Sequence, residues 1–140
     1  MSDKMVVHPN HYQNGKFETK DLQKIILNYL RPDPYTSLCL GDVIKYIDRY
    51  GKKWETNQEL DKAKEYLYFC DYELQKEKLK NYIDIKLSQG YISVNEWFQL
   101  KRVLDCFSCV YINEYKRSLE YWKEIREESE KELGIFSEQL

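Results

Sequence analysis

Lys45, Arg49, Lys52 and Lys53 stand within three turns of one predicted helix, Gly41-Asp-Val-Ile-Lys-Tyr-Ile-Asp-Arg-Tyr-Gly-Lys-Lys53. Read at 100° per residue, Leu40, Val43, Ile44 and Ile47 share one apolar arc, and the four cations gather opposite it with Asp42 and Tyr46. Cations so spaced can clamp a phosphate-bearing ligand, the guanidinium as a two-pronged donor and the ammonium groups as compact charges. A solvated helix face is the plainer reading of the same pattern.

The chemistry that fits such a face is nucleotide handling. Gly51-Lys52-Lys53 is not a P-loop, because it lacks the preceding glycine and the Ser/Thr that holds the metal. Phosphoryl transfer does not demand that loop; it needs positioning and charge neutralisation. Lys45, Arg49, Lys52 and Lys53 are the expected phosphate ligands, with Lys62 adding a contact from the next helix. Tyr46, His8, His11 and Tyr12 are candidates to close over the ligand, and Asp42 or Asp61 could hold Mg²⁺ through water, with ATP as the matching co-substrate. The two histidines, on either side of Pro9 and Asn10, serve equally well to pin an irregular N-terminal segment onto the helices. No catalytic residue is assigned.

Cys106 and Cys109 form a C-x-x-C pair, which invites a zinc or redox reading. A second C-x-x-C is missing, and a structural zinc site needs four convergent ligands. With Phe107 and Val110 in the same helical pattern, the expectation for Cys39, Cys70, Cys106 and Cys109 is free, reduced thiols packed in the interior.

The elements that must position these groups read as helices. Leu22, Ile25, Ile26, Tyr29 and Leu30 predict a short amphipathic helix, which Arg31-Pro32-Asp33-Pro34 ends. The basic helix follows over about Tyr35 to Tyr50, with Gly51 as its expected C-cap. Thr56-Asn57-Gln58-Glu59 reads as a capping box opening a third helix along the stripe Leu60, Ala63, Leu67, Cys70 and Leu74, which runs to Ser88 before Gly90. Ser93-Val94-Asn95-Glu96 is a second capping box, opening a fourth helix to about Leu133. Its seam of Trp97, Leu100, Leu104, Phe107 and Tyr111 shifts register through Tyr115, Leu119 and Trp122, which predicts a bend or a change of packing partner. A helix of ~40 residues would be about 60 Å long, more than a domain this size can cover. Part of it is therefore expected to pack against another copy, making the chain a homo-oligomer. The fold class is all-α, about four helices with an irregular N-terminal segment; Met5-Val6-Val7 is at most one edge strand.

Three blocks resemble the SaV-like family of small phage proteins, a domain of unknown function. They are His8-Pro9-Asn10-His11-Tyr12, the basic helix from Gly41 to Lys53, and Leu60-Asp61-Lys62-Ala63-Lys64-Glu65-Tyr66-Leu67. The resemblance implies a domain over about 1–75 and a helical C-terminal extension over 76–140. Asp42 departs from the family's usual Asn, which removes a donor and adds a charge. One branch of the family resembles a nucleoside-monophosphate kinase without a Walker loop, and another member governs sensitivity to a host abortive-infection system. The resemblance thus implies nucleotide-phosphate binding, or else a host-interaction protein that binds a bacterial defence factor (of anti-CRISPR or abortive-infection type) through its C-terminal helices. It also implies the cytoplasm of a host bacterium.

Composition narrows the field. A chain of 140 residues suits one domain with a core of its own. A net charge of −2 and a pI near 5.8 argue against a general nucleic-acid coat. Thirteen tyrosines and three tryptophans suit wet cores and interfaces, and core packing explains the aromatic stripe from Val94 to Trp122 better than base stacking, because its surroundings are not basic. No apolar run approaches the ~20 residues of a membrane span, and Met-Ser-Asp-Lys-Met opens no signal-peptide core.

Overall fold

A computed structural model describes residues 18–53 and 57–130, with side chains placed for 18–50 and 57–129. All regular structure among them is helical: α1 (Thr19–Leu30), α2 (Pro34–Lys53), α3 (Gln58–Phe69), α4 (Tyr72–Ser88), α5 (Val94–Tyr111) and α6 (Tyr115–Glu130). Among the described residues six helices stand where four were expected, because two of the predicted helices are each broken once. Met5-Val6-Val7 lies outside the described residues.

The first break follows Phe69, where Asp71 takes a left-handed backbone (φ 54°) and the chain turns into α4. The second follows Tyr111, where Asn113 does the same (φ 67°). Here the Asn113 N–H donates to the Val110 carbonyl (3.2 Å) and the Glu114 N–H to the Cys109 carbonyl (2.8 Å). That is the pairing of a Schellman cap, with asparagine in the seat glycine usually takes. Gly90 (φ 81°) fills the same seat after α4, with Gly90 N–H to Leu87 O at 3.0 Å and Tyr91 N–H to Lys86 O at 2.9 Å.

The break at Asn113 changes the packing argument. α6 folds back along α5, so the Cys106 thiol donates to the Ser118 carbonyl (3.3 Å) and Arg102 pairs with Glu124 (3.3 Å). The predicted change of partner is therefore a full reversal, and the two halves cover each other. The length of a single 40-residue helix no longer calls for a second copy.

Helix starts follow local chemistry. Asp33 opens α2: its carboxylate accepts from the Thr36 N–H and hydroxyl, both at 2.9 Å, while Pro34 takes the first helical position, where a missing N–H costs nothing. The hydrogen bond from the Thr36 backbone, the largest of several contributions, lowers the Asp33 pKa below the ordinary carboxylate value. At α5 the predicted box closes, Glu96 N–H to Ser93 Oγ at 3.1 Å and Ser93 N–H to Glu96 Oε1 at 2.8 Å. α2 runs through Gly51 to Lys53, so Gly51 is an internal helical residue rather than a C-cap.

One apolar cluster spans the described residues. Leu22, Ile25 and Ile26 of α1 meet Leu40, Val43, Ile44 and Ile47 of α2, and Leu60, Ala63 and Leu67 of α3 continue it to Leu100, Leu104 and Phe107 of α5 and Ile125 of α6. α2 and α3 form one antiparallel pair, and α4 packs antiparallel on α5 through Tyr72, whose buried hydroxyl donates to the Leu104 carbonyl (2.7 Å). The aromatic stripe lies mainly in this core: Phe107 and Trp122 are buried, and Trp97 and Tyr111 pack against it half-buried. No helix among the described residues is long and apolar enough to cross a membrane.

Candidate functional site

The polar side of α2 meets the first turns of α3 in a cluster of cations around one ring. Val43, Ile44 and Ile47 anchor α2 in the core, which turns Asp42, Lys45, Tyr46 and Arg49 outward. Leu60, Ala63 and Leu67 do the same for α3 and present Lys62 and Tyr66 alongside. Lys45 Nζ lies 4.8 Å from the Tyr46 ring centre, Lys62 Nζ 5.5 Å and the Arg49 guanidinium carbon 5.7 Å. Tyr46 stacks on Tyr66 at 5.9 Å, with 20° between the rings. The Asp42 carboxylate is the main influence raising the Tyr66 phenol pKa, which places Asp42 on the same surface.

Two carboxylates sit among the three cations. Asp42 Oδ1 is 3.4 Å from Lys45 Nζ. Glu59, only 8% exposed, reaches Arg49 Nη1 with Oε2 at 3.8 Å and Lys62 Nζ with Oε1 at 3.9 Å. Those last two contacts are ion pairs longer than hydrogen bonds. Among the described residues, Oε2 of Glu59 is buried and accepts no hydrogen bond. The Arg49 and Lys62 side chains are each 43% exposed and stand beyond hydrogen-bond distance of Glu59, so an anion arriving from solvent can compete for them.

The sequence-predicted residues therefore divide. Asp42, Lys45, Tyr46, Arg49 and Lys62 come together. Asp61 faces elsewhere, accepting a hydrogen bond from the Tyr115 hydroxyl of α6 at 2.7 Å. Burial, and then that hydrogen bond, push the Tyr115 phenol far above its usual range. Lys52 and Lys53 fall on the last turn of α2, but their side chains, like His8, His11 and Tyr12, lie outside the described residues. Among the described residues no three His, Cys, Asp or Glu side chains form a group able to hold a metal ion.

The four cysteines are free and buried. Burial pushes the Cys70 thiol up to about 12 and the Cys106 thiol well above its ordinary value. Both stay protonated near neutral pH, and so are poor nucleophiles.

Sequence reasoning missed two residues. Glu59 was read as the acidic end of a capping box, yet its carboxylate turns toward Arg49 and Lys62. Asp48 was assigned no role, and its buried carboxylate is held by side chains of α1 and α6. Its Oδ1 accepts from Arg126 Nε (2.8 Å) and Trp122 Nε1 (3.0 Å), and its Oδ2 from Arg126 Nη2 (3.1 Å) and the Thr19 hydroxyl. Burial alone would raise this carboxyl, but the hydrogen bonds from Arg126, Thr19 and Trp122 and the Arg126 charge outweigh it and hold it at about 2. Position 48 extends the apolar arc of Leu40, Ile44 and Ile47, so a charge inside an apolar stripe was the available signal.

A family model described as a protein of unknown function, DUF3310, matches residues 6–68. That stretch covers α1, α2 and α3 except its last residue, and contains all of Asp42, Lys45, Tyr46, Arg49, Glu59, Lys62 and Tyr66. No curated protein and no solved structure matches the chain.

Proposed function

We propose that the chain binds the phosphates of a nucleotide through Lys45, Arg49 and Lys62, with Tyr46 and Tyr66 as the aromatic floor of the site. The observation that carries this reading is the convergence of three cations from two helices within 6 Å of one ring centre. A solvated charged face scatters its cations over the arc, whereas here they are drawn to one point. Two carboxylates moderate the charge, which suits a ligand that must also leave. The resemblance to the SaV-like family adds the narrower reading, a nucleoside-monophosphate kinase using Mg-ATP, with Lys52 and Lys53 extending the phosphate ligands and His8, His11 and Tyr12 closing over them.

The test is ADP production from Mg-ATP across ribo- and deoxynucleoside monophosphates, with direct binding measured in parallel and Arg49→Ala beside the parent. Arg49 is outward-facing, so its loss should abolish binding and leave the thermal transition in place. Binding without turnover retains the phosphate site and removes the kinase. No binding of any nucleotide removes both.

A host-protein partner is the second reading, favoured by a separate observation. Tyr91, Val94 and Phe98 are all more than half exposed and grouped around the α4–α5 turn, and apolar side chains exposed together fit an interaction surface. Deleting everything after Gly90 would not test it, because α5 carries Leu100, Leu104 and Phe107 of the core. Tyr91→Ser with Phe98→Ser would: a folded double variant that no longer engages a bacterial defence factor supports this surface, and unchanged engagement sinks it.

A further inference from the structure

Glu59 departs from the behaviour expected of a buried carboxylate. Such groups are normally paired at hydrogen-bonding distance, because an acceptor withdrawn from water and left unmet is costly. Asp48, in the same fold, meets four donors. Glu59 is nine-tenths buried, yet its two cationic neighbours stand at 3.8 and 3.9 Å, and among the described residues Oε2 receives no hydrogen bond. The unmet atom lies on the Arg49 side of the carboxylate, and Arg49 and Lys62, its two cationic neighbours, are two of the three cations around Tyr46. A ligand whose anionic group drew Arg49 outward would uncover Oε2 and could supply its missing donor.

We infer that Glu59 is the specificity-determining acceptor of this site, taking a hydrogen bond from a neutral N–H or O–H donor of a ligand whose phosphate is held by Lys45, Arg49 and Lys62. The inference rests on the phosphate-binding reading above and adds to it the second half of the ligand. A bare phosphate satisfies the cations and leaves Glu59 unmet; it also suffers the repulsion of that carboxylate. A nucleoside monophosphate carries sugar hydroxyls and base N–H groups beside its phosphate, so it can satisfy both. The site should therefore distinguish nucleoside monophosphates from inorganic phosphate by chemistry rather than by charge, because the two anions are similar in charge. A site that accepts a hydrogen bond from its ligand rejects analogues lacking the donor far more strongly than a merely apolar site does.

The test uses the full chain, with inorganic phosphate, ribose 5-phosphate and the common nucleoside monophosphates as probes, titrated against the parent, Glu59→Gln, Glu59→Met and Arg49→Ala. Glu59→Gln removes the charge and keeps one acceptor; Glu59→Met removes both at similar volume. The expected result is that the parent prefers at least one nucleoside monophosphate over inorganic phosphate by about tenfold or more, the scale of one hydrogen bond to a charged group. Glu59→Met should lose that preference, Glu59→Gln should retain part of it, and inorganic phosphate should bind both variants as well as the parent or better. If all three probes tighten together in both variants, Glu59 is only a counter-charge and the inference is overturned while phosphate binding stands. If no probe binds the parent, or Arg49→Ala changes nothing, the phosphate site itself fails and the inference falls with it. Thermal transitions of the two Glu59 variants within a few degrees of the parent establish that the comparison is made on folded protein.

Discussion

Replacing Asp48 with asparagine perturbs a carboxylate on which side chains of two other helices converge. Asp48 belongs to α2, Thr19 to α1, and Trp122 and Arg126 to α6. Its side chain is 1% exposed and that of Arg126 16%, so the pair is screened far less than a surface ion pair. Asparagine keeps an acceptor toward Trp122 and Arg126 Nε but turns an N–H₂ toward Arg126 Nη2 and withdraws the Asp48 charge from the guanidinium. Removing one member of a buried pair costs about 3–5 kcal/mol. The conservative shape and the partial exposure of Arg126 place this variant at the low end, about 3 kcal/mol. For a domain of this size that corresponds to a fall of roughly 10 °C in Tm.

The same carboxyl gives a pH signature. Its folded value of about 2 lies below the 3.8 of an unperturbed aspartate. A depressed carboxyl contributes stability that is complete above the unfolded value and is lost as pH falls through the folded one. The window is therefore pH 4 down to 2, and the contribution is about 2 kcal/mol. Urea unfolding followed by far-UV circular dichroism at pH 7, 4, 3 and 2 should show the parent losing more stability across that window than Asp48→Asn does. Adding Arg126→Met to Asp48→Asn should cost less than the sum of the two single changes, because the two side chains share one interaction. A Tm for Asp48→Asn within a degree of the parent, with parallel acid profiles, would refute the claim that Asp48 is held ionised in the interior.

Other substitutions probe the turns and the helices. Asn113→Ala should cost about 1 kcal/mol and Asn113→Gly should be neutral or stabilising, since φ 67° is strained for a residue with a Cβ; equal melting temperatures for the two would deny the left-handed cap. Ser93→Ala should lower stability by about 1 kcal/mol through loss of the Glu96 N–H acceptor, and a denaturation midpoint unchanged from the parent would show that the box contributes nothing. Gly41→Ala should stabilise by roughly 0.5–1 kcal/mol, because Gly41 is internal to α2 and an added Cβ would meet only Leu27 Cδ1 at 3.9 Å among the described residues. A fall in Tm would mean that the glycine serves a contact beyond those residues.

How much of this was readable from sequence depends on the type of signal. The apolar arc of α2, the short helix before it, the box at Ser93 and the cap at Gly90 were all visible, since each rests on periodicity or on the residue type best suited to the seat. The break at Asp71 was not, because the apolar period continues across it, and at Asn113 the shift of register predicted a bend or a change of partner but not a reversal. Both breaks use the left-handed region without glycine or proline, so a hairpin of two helices reads as one long one. Gly51 misled in the opposite sense: it carries the residue type of a cap but sits within α2. Asp48 announced itself as a charge in an apolar stripe, but its partners lie 74 and 78 residues away, beyond the reach of any local pattern.

Glu59 was hidden by competition between two roles. An acid in the first turn of a helix is favoured there by the N-terminal partial charge, and the spacing from Thr56 suggested a reciprocal cap. Asn57 takes the N-cap position of α3 without a side-chain hydrogen bond, and the Glu59 carboxylate lies between Arg49 of α2 and Lys62 of its own helix. The antiparallel docking of α2 on α3 adds what no local pattern shows, because it brings Arg49 opposite Glu59 and Tyr46 opposite Tyr66. A carboxylate placed by tertiary contact, buried, and still short of a donor is more informative about the site than the cations that drew attention to it, since cations on a helix face are common and an unmet buried acceptor is not.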